Sequence, residues 1–423
     1  MKEEKLNCTT LWYYNLSPRE SITVRYQIQM KEEVDGDALR RAVDVAMTRY
    51  PYMKKKVIVT HKGYVLEDNP LPVVVLNTKN PVPLCGSEAN WQQIAISYFE
   101  DTIFFNNTHA ICDGRGRSAL LHTMMYYYCK FRYNEEVDMP GVNLVDSPID
   151  PAEYADPFDS PIPDSEKLIP DMPAPASVMN LAKMGGVYVS PFHLHHLRIN
   201  EAQLMALCKS SDATPNTALS LLMARGIANL YPDSKESIVA GVYCDVRKAL
   251  GVPLSHHPLV QTLEIEFSQD MHNLSFEEQN TIFRGKMLLL TDDQLIRESQ
   301  KGIKALSDKI NSLDTLEEKL ALGYSAMQTV ADSHTFLVSY SGKSSYGTCD
   351  KHIKALYPQT GIKNMGILLE VTSADGWFYI TFIQEWKEDI YFNAFIKEII
   401  SHGLDFDLLY SGQDQPARFT PDK

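Results

Sequence analysis

His109 is followed, three residues on, by Asp113-Gly114, and this spacing is the most chemically suggestive in the chain. The run Phe104-Phe105-Asn106-Asn107-Thr108 leads into the histidine as a β-segment, and a helix opens after the glycine. A strand end is rigid, so it can hold an imidazole against a cleft. With an ordinary pKa of about 6.5, such an imidazole can take a proton from a hydroxyl or an amine near neutral pH. Asp113 stands beside a helix start, where negative charge is favoured. It either orients His109 or pairs with an arginine to fix the turn. Gly114 permits tight backbone geometry there. Taken alone, the same residues also describe a strand end with a surface histidine and an aspartate N-cap.

The elements around the motif set its frame. Ile94–Phe99 and Thr102–Asn106, separated by Glu100-Asp101, read as a hairpin. A period-two strand covers Ile22–Met30. A helix follows from Asp37 to Tyr50, with Leu39, Ala42, Val43, Ala46 and Met47 on one face, and Pro51 ends it. Short strands are expected at Lys56–Thr60, Gly63–Leu66 and Pro72–Val75, and a helix from Gly116 to Tyr133. Eight of the 23 prolines fall between Pro148 and Pro175, which marks an extended crossing segment. The expected organisation is therefore an N-terminal lobe over 1–145, a linker over 146–185 and a C-terminal lobe over 186–423. In the last of these, His195–Ile199 is a strand, and Asn200 caps a helix over Glu201–Ser210. A strongly apolar, central helix covers Pro215–Leu230. Further helices are expected at 275–313 and 315–331. Strands fall at Ser237–Cys244, Thr335–Tyr340, Gly366–Thr372 and Trp377–Ile383, and a helix over Tyr391–Gly403 closes the chain. Strands, hairpins and helices mix in both halves, so the fold class is α+β, two-layered.

Composition removes several classes. The chain has 423 residues, with 40 basic against 54 acidic side chains and a net charge of −14. That balance disfavours a nucleic-acid partner, and the longest basic cluster is Lys54-Lys55-Lys56. No secretory h-region and no apolar span of membrane length is present. The seven cysteines are scattered and form no Cys-x-x-Cys pair, which fits a reduced, cytoplasmic protein better than a zinc module or disulfide framework. His193 and His195 share a strand face, but no carboxylate or cysteine lies near them in sequence, so no metal site is expected. His196, His256 and His257 read as ordinary interface histidines. Gly114-x-Gly116-x-x-Ala119 loosely matches a dinucleotide fingerprint but lacks its β-α-β surroundings. No phosphate loop and no nucleophile elbow occurs. Tyr126-Tyr127-Tyr128, with Met124 and Met125, reads as core, with one face available to line a channel.

His109-x-x-x-Asp113-Gly114, after an apolar strand and before a helix, resembles the motif of the chloramphenicol acetyltransferase-like acyltransferases. That superfamily includes condensation domains and alcohol acetyltransferases. Val34 to Met53 looks like the first helix of condensation-like domains and the turn that ends it. Ala213 to Leu219 and Val242 to Arg247 are similar to the family's later helix start and its strand end carrying a structural arginine. Thr108 stands where condensation domains usually carry a second histidine, and the plant enzymes' Asp-Phe-Gly-Trp-Gly is missing. Alcohol acetyltransferases and polyketide-associated acyltransferases are therefore the better likeness.

The resemblance implies two lobes with the site in a tunnel between them. It implies His109 as general base, Asp113 as a structural residue paired with Arg247, and no bound cofactor. An acyl-CoA would be co-substrate and a hydroxyl compound the small-molecule acceptor. An acyl carrier protein is the alternative donor, and a catalytically silent binding module of the same fold the alternative role. Ser339, Tyr340 and Ser341, at a polar strand end, are the candidate donors to an oxyanion.

Overall fold

The structure is a computed structural model that describes residues 6–15, 22–164, 175, 177–181, 184, 186, 188–361, 365–414 and 417–421. In chain order the strands are β1 (Thr23–Met30), β2 (Lys55–Thr60), β3 (Gly63–Asp68), β4 (Val75–Asn77), β5 (Ile94–Phe99), β6 (Thr102–Thr108) and β7 (Tyr188–Asn200). They continue with β8 (Ile238–Asp245), β9 (Val260–Phe267), β10 (Phe336–Lys343), β11 (Ile353–Thr360), β12 (Ile367–Ala374), β13 (Trp377–Trp386) and β14 (Phe406–Asp414). The helices are α1 (Thr10–Tyr14), α2 (Gly36–Arg49), α3 (Gly114–Tyr133), α4 (Glu201–Ser210) and α5 (Pro215–Leu230). After them come α6 (Arg247–Leu250), α7 (Phe276–Leu290), α8 (Asp293–Asn311), α9 (Leu316–Asp332) and α10 (Ile390–Ser401).

The architecture is α+β. One sheet has five strands in the order β11-β1-β6-β5-β4, and a second has seven in the order β14-β7-β13-β12-β10-β8-β9. Sheet membership does not follow the halves of the chain. β11 lies late in the sequence yet pairs antiparallel with β1, Tyr26 opposite Pro358. Pro358 has no N–H to give a ladder, and an edge strand tolerates that.

Helix α2 buries the face its periodicity defines: Leu39, Ala42, Val43, Ala46 and Met47 are all enclosed, and Asp35 caps it by accepting from Asp37 N and Ala38 N. Burying each large side chain of that face contributes about 1.5–3 kcal/mol. Helix α5 is enclosed along most of its length, as its unbroken apolar run requires. It opens with Thr214 capped reciprocally by Thr217.

Several features depart from the sequence reading, among them β9 and β11, where no strand was expected. The helix expected over 275–313 is two, because Thr291 ends α7 and the Asp292 side chain restarts the chain by accepting from Gln294 N. The last helix does not close the chain, since β14 follows it and pairs with β7. The five-residue α1 has no periodicity to reveal it. Tertiary bonds hold it, with Asn311 Nδ2 donating to Leu6 O at 2.6 Å and to Thr10 Oγ1 at 3.1 Å.

Candidate active site

The hairpin β5–β6 carries the motif. Strand β6 runs between β1 and β5, and His109 N donates to Ile22 O at 3.0 Å, so the histidine is the first residue past a paired strand. Asn107 fixes the turn that follows: its Nδ2 donates to Thr108 O at 2.8 Å and to Cys112 O at 3.3 Å. Thr108, where condensation domains usually carry a histidine, donates its hydroxyl to Gln93 Oε1 at 2.9 Å.

His109 lines a cavity of about 660 Å³ between the two sheets. Tyr26 of β1 and Thr360 of β11 line it on one side, and Ser339 of β10 and Glu370 of β12 on the other. The imidazole lies flat on Trp12, with ring centroids 4.1 Å apart and planes 9° from parallel. Trp12 is held in turn by its Nε1, which donates to Pro258 O at 3.2 Å. The ring keeps some surface on the cavity, but the protein around it removes most of its hydration. That burial lowers the His109 pKa to about 4; Asp113 pulls it up and Arg117 pushes it down. At neutral pH the ring is therefore uncharged and can accept a proton. Trp12 escaped the sequence reading because nothing in its local pattern ties it to His109.

Asp113 is fully enclosed and fully engaged. Its Oδ1 accepts from Arg115 N at 3.1 Å and Gly116 N at 3.0 Å, which caps α3. The same oxygen accepts from Arg247 Nη2 at 2.8 Å, and Oδ2 accepts from Leu259 N at 2.9 Å. None of the four donors is His109. Arg247 is equally enclosed and completes its own set on Ser255 O at 2.7 Å, His257 O at 2.6 Å and Asp245 Oδ1 at 3.0 Å. Asp113 is thus bonded to the 245–259 segment, the geometry of a structural residue.

The glycine expectation needs correction. Gly114 does not have positive φ, and a Cβ there would meet only Arg117 Nη2 at 3.7 Å, an ordinary contact. The crowded position is Gly116, where a Cβ would overlap the carbonyl oxygen of His256 and sit 2.9 Å from Cys112 Cβ. The close approach of the 256–257 loop to α3 is what requires glycine.

Ser339, Tyr340 and Ser341 all line the cavity. The Ser341 hydroxyl donates to Val371 O at 3.2 Å, Tyr340 Oη pairs with Ser373 Oγ at 3.2 Å, and Ser339 hydrogen-bonds Glu370. The buried Cys112 thiol is pushed up to about 12 by desolvation, which leaves it a poor nucleophile. The tyrosine run on α3 is absent from the cavity wall; Ser118, Leu121 and His122 stand there instead. Tyr128 is core, and its hydroxyl accepts from Asp35 N at 3.2 Å. The carboxylate missing near His193 and His195 arrives from far along the chain. Asp389 Oδ1 lies 3.2 Å from His193 Nδ1 and 3.1 Å from His195 Nε2.

No protein-family profile and no curated protein matches the chain. Solved structures do. TRI101 of F. graminearum, complexed with coenzyme A and T-2 mycotoxin, aligns over 96% of this chain and 100% of its own, with TM-score 0.59 and 11% identity. Polyketide synthase associated protein 5 from Mycobacterium tuberculosis aligns over 95% and 97%, at 0.59 and 13%. The first condensation domain of the CDA synthetase aligns over 97% and 99%, at 0.62 and 9%. The chain has the two-lobed chloramphenicol acetyltransferase-like fold. The likeness extends over nearly the whole length of each of these structures.

Proposed function

We propose that this chain is an acyltransferase that moves an acyl group from an acyl-CoA to a hydroxyl acceptor, with His109 as general base. The observation that carries the reading is a neutral imidazole, stacked and enclosed, on the wall of a cavity between the lobes. In this mechanism His109 takes the proton of the acceptor hydroxyl as its oxygen attacks the thioester carbonyl carbon. The resulting oxyanion takes a hydrogen bond from the polar end of β10, where Tyr340 Oη can donate when Ser373 Oγ donates to it, and where Ser339 and Ser341 can donate only by turning away from Glu370 and Val371 O. Collapse breaks the carbon–sulfur bond, and the imidazolium returns its proton to the departing thiolate. Asp113 and Arg247 hold the turn and do not touch the reacting atoms. Coenzyme A in the TRI101 structures supports an acyl-CoA as donor. All seven cysteines are free thiols, six of them buried, which supports a reducing, cytosolic setting. Among the described residues no helix is long and apolar enough to cross a membrane.

The test is thiol release from acetyl-CoA with a pool of small alcohols and amines, comparing wild type with His109→Ala. Loss of a general base costs about 10²–10⁴-fold in rate. A drop of that size supports the reading. Equal turnover by both proteins removes His109 from the mechanism. No turnover by either points to a carrier-protein donor or to a binding role for the fold.

A further inference from the structure

Among the described residues four arginines are buried: Arg25, Arg49, Arg117 and Arg247. Three have an acidic partner. Arg25 meets Asp414, Arg49 meets Glu153 at 2.6 Å, and Arg247 meets Asp113 at 2.8 Å. Arg117 is 6% exposed and has neither a carboxylate partner nor a hydrogen bond among the described residues. Its guanidinium carbon lies 5.1 Å from the Tyr26 ring centroid, and Nη2 would be 3.7 Å from a methyl on Gly114. The head group therefore stands beside the motif turn, on the wall of the cavity that holds His109. None of its nitrogens is a sealed, unsatisfied donor, because they open to that cavity.

A buried charge without a counter-charge is expensive to keep. Glu370 lines the same cavity and accepts from Thr360 Oγ1; it makes no contact ion pair with Arg117, although the burial that raises its pKa is opposed in part by the Arg117 charge. Arg117 is thus a partly desolvated cation with no carboxylate in contact among the described residues, and its planar fork matches a carboxylate. One positive charge suits a monoanion. The phosphates of a coenzyme A donor would lie a pantetheine arm away from the reacting thioester. An anion beside His109 must therefore belong to the acceptor or to the acyl group itself.

We propose that Arg117 binds a substrate carboxylate, so that this enzyme acts on a hydroxy acid or transfers a dicarboxylic acyl group. The proposal rests on the acyltransferase reading and names its substrate class. Arg117 is a specificity residue in it, and His109 remains the base.

The experiment compares ω-hydroxy carboxylates with their methyl esters as acceptors for acetyl-CoA, and succinyl-CoA with acetyl-CoA as donors to neutral alcohols. It uses wild type, Arg117→Gln, Arg117→Lys and Glu370→Gln. Thermal stabilisation of the donor-free protein by each carboxylate is read alongside thiol release. A buried charge pair gives a discrimination of about 30-fold or more. Wild type is expected to favour the free acid over the ester by that factor in kcat/KM, and to be stabilised only by the acid. Arg117→Gln loses both effects while still using the ester, and Arg117→Lys keeps part of each. Preference for succinyl-CoA in place of the hydroxy acid assigns the carboxylate to the acyl group. Equal use of acid and ester, together with equal use of the two donors, overturns the proposal and leaves the acyltransferase standing. This wild-type comparison needs no variant to fold. A preference that appears only in Glu370→Gln also overturns it, because Arg117 would then be serving Glu370 in the wild type. Stabilisation by the acid in wild type but not in Arg117→Gln, with no turnover anywhere, keeps the carboxylate site and rejects the acyltransferase.

Discussion

Replacing Asp113 by asparagine tests the division of labour at the motif. The amide oxygen of asparagine can stand in for Oδ1 and keep its three hydrogen bonds, to Arg115 N, Gly116 N and Arg247 Nη2. The amide nitrogen then replaces Oδ2 and faces the Leu259 N–H, donor against donor. Arg247 loses its one fully buried counter-charge. It keeps Asp245 at 3.0 Å, but that side chain is 39% exposed and its charge is screened. Breaking a buried pair costs about 3–5 kcal/mol. The surviving Asp245 contact places this case near the lower end, about 3 kcal/mol. Unfolding entropy is about 2.1 cal/mol/K per residue. Over 423 residues, melting should therefore fall by about 3–4 °C. The assay is melting and denaturant unfolding of Asp113→Asn, Arg247→Met and the double variant. The double variant should lose well under the sum of the singles, because each removes the same pair. Turnover per folded molecule at pH 7 should hold, since removing the Asp113 charge only pushes His109 further toward its neutral form. A variant that melts like wild type but turns over about 10²-fold more slowly would place Asp113 in the chemistry instead.

Three further outcomes follow from the same packing. Burial lowers His109, His195, His256 and His334 to about 4 and His196 to about 3. The unfolded chain, with histidines near 6.5, takes up protons first as pH falls. Stability should drop from about pH 6.5 down to about 4; unfolding free energy that stays flat from pH 6.5 to 5 would refute this. Gly116→Ala should destabilise by about 1–3 kcal/mol through overpacking against the His256 carbonyl, while Gly114→Ala should melt close to wild type. Trp12→Ala removes the stack on His109 and part of its burial, so the acid limb of kcat/KM should move up from near 4 toward 6.5 as kcat falls. Trp12→Phe should restore most of both, and an unmoved acid limb in Trp12→Ala would rule out a positioning role.

The elements that position His109 were legible because they are local. The hairpin, the strand Ile22–Met30 and the helix starts each announce themselves through alternation, periodicity or a capping residue. The pairing of Asp113 with Arg247 came from family likeness, since 134 residues separate them in sequence and no local pattern links them. Arg117 was illegible for a different reason. A charge in the first turns of a helix reads as solvated, and only packing against residues distant in sequence, Tyr26 of β1 among them, removes its water. Asp389 reaches His193 and His195 in the same way, through strand pairing distant in sequence. β11 was hidden by Pro358, which argues against a strand in every setting except an edge. β14 was hidden by its exposure, which left no apolar face to read.

That late strand bears on how the molecule is made. The sheet holding His109 is completed by residues 353–360. On the ribosome, β1 therefore emerges among the first residues and waits, one edge open, until most of the chain has been synthesised. An open strand edge is a template for wrong pairing. The nascent N-terminal lobe cannot close its own sheet, so any product cut short before Ile353 should be an aggregating fragment and not a free-standing lobe.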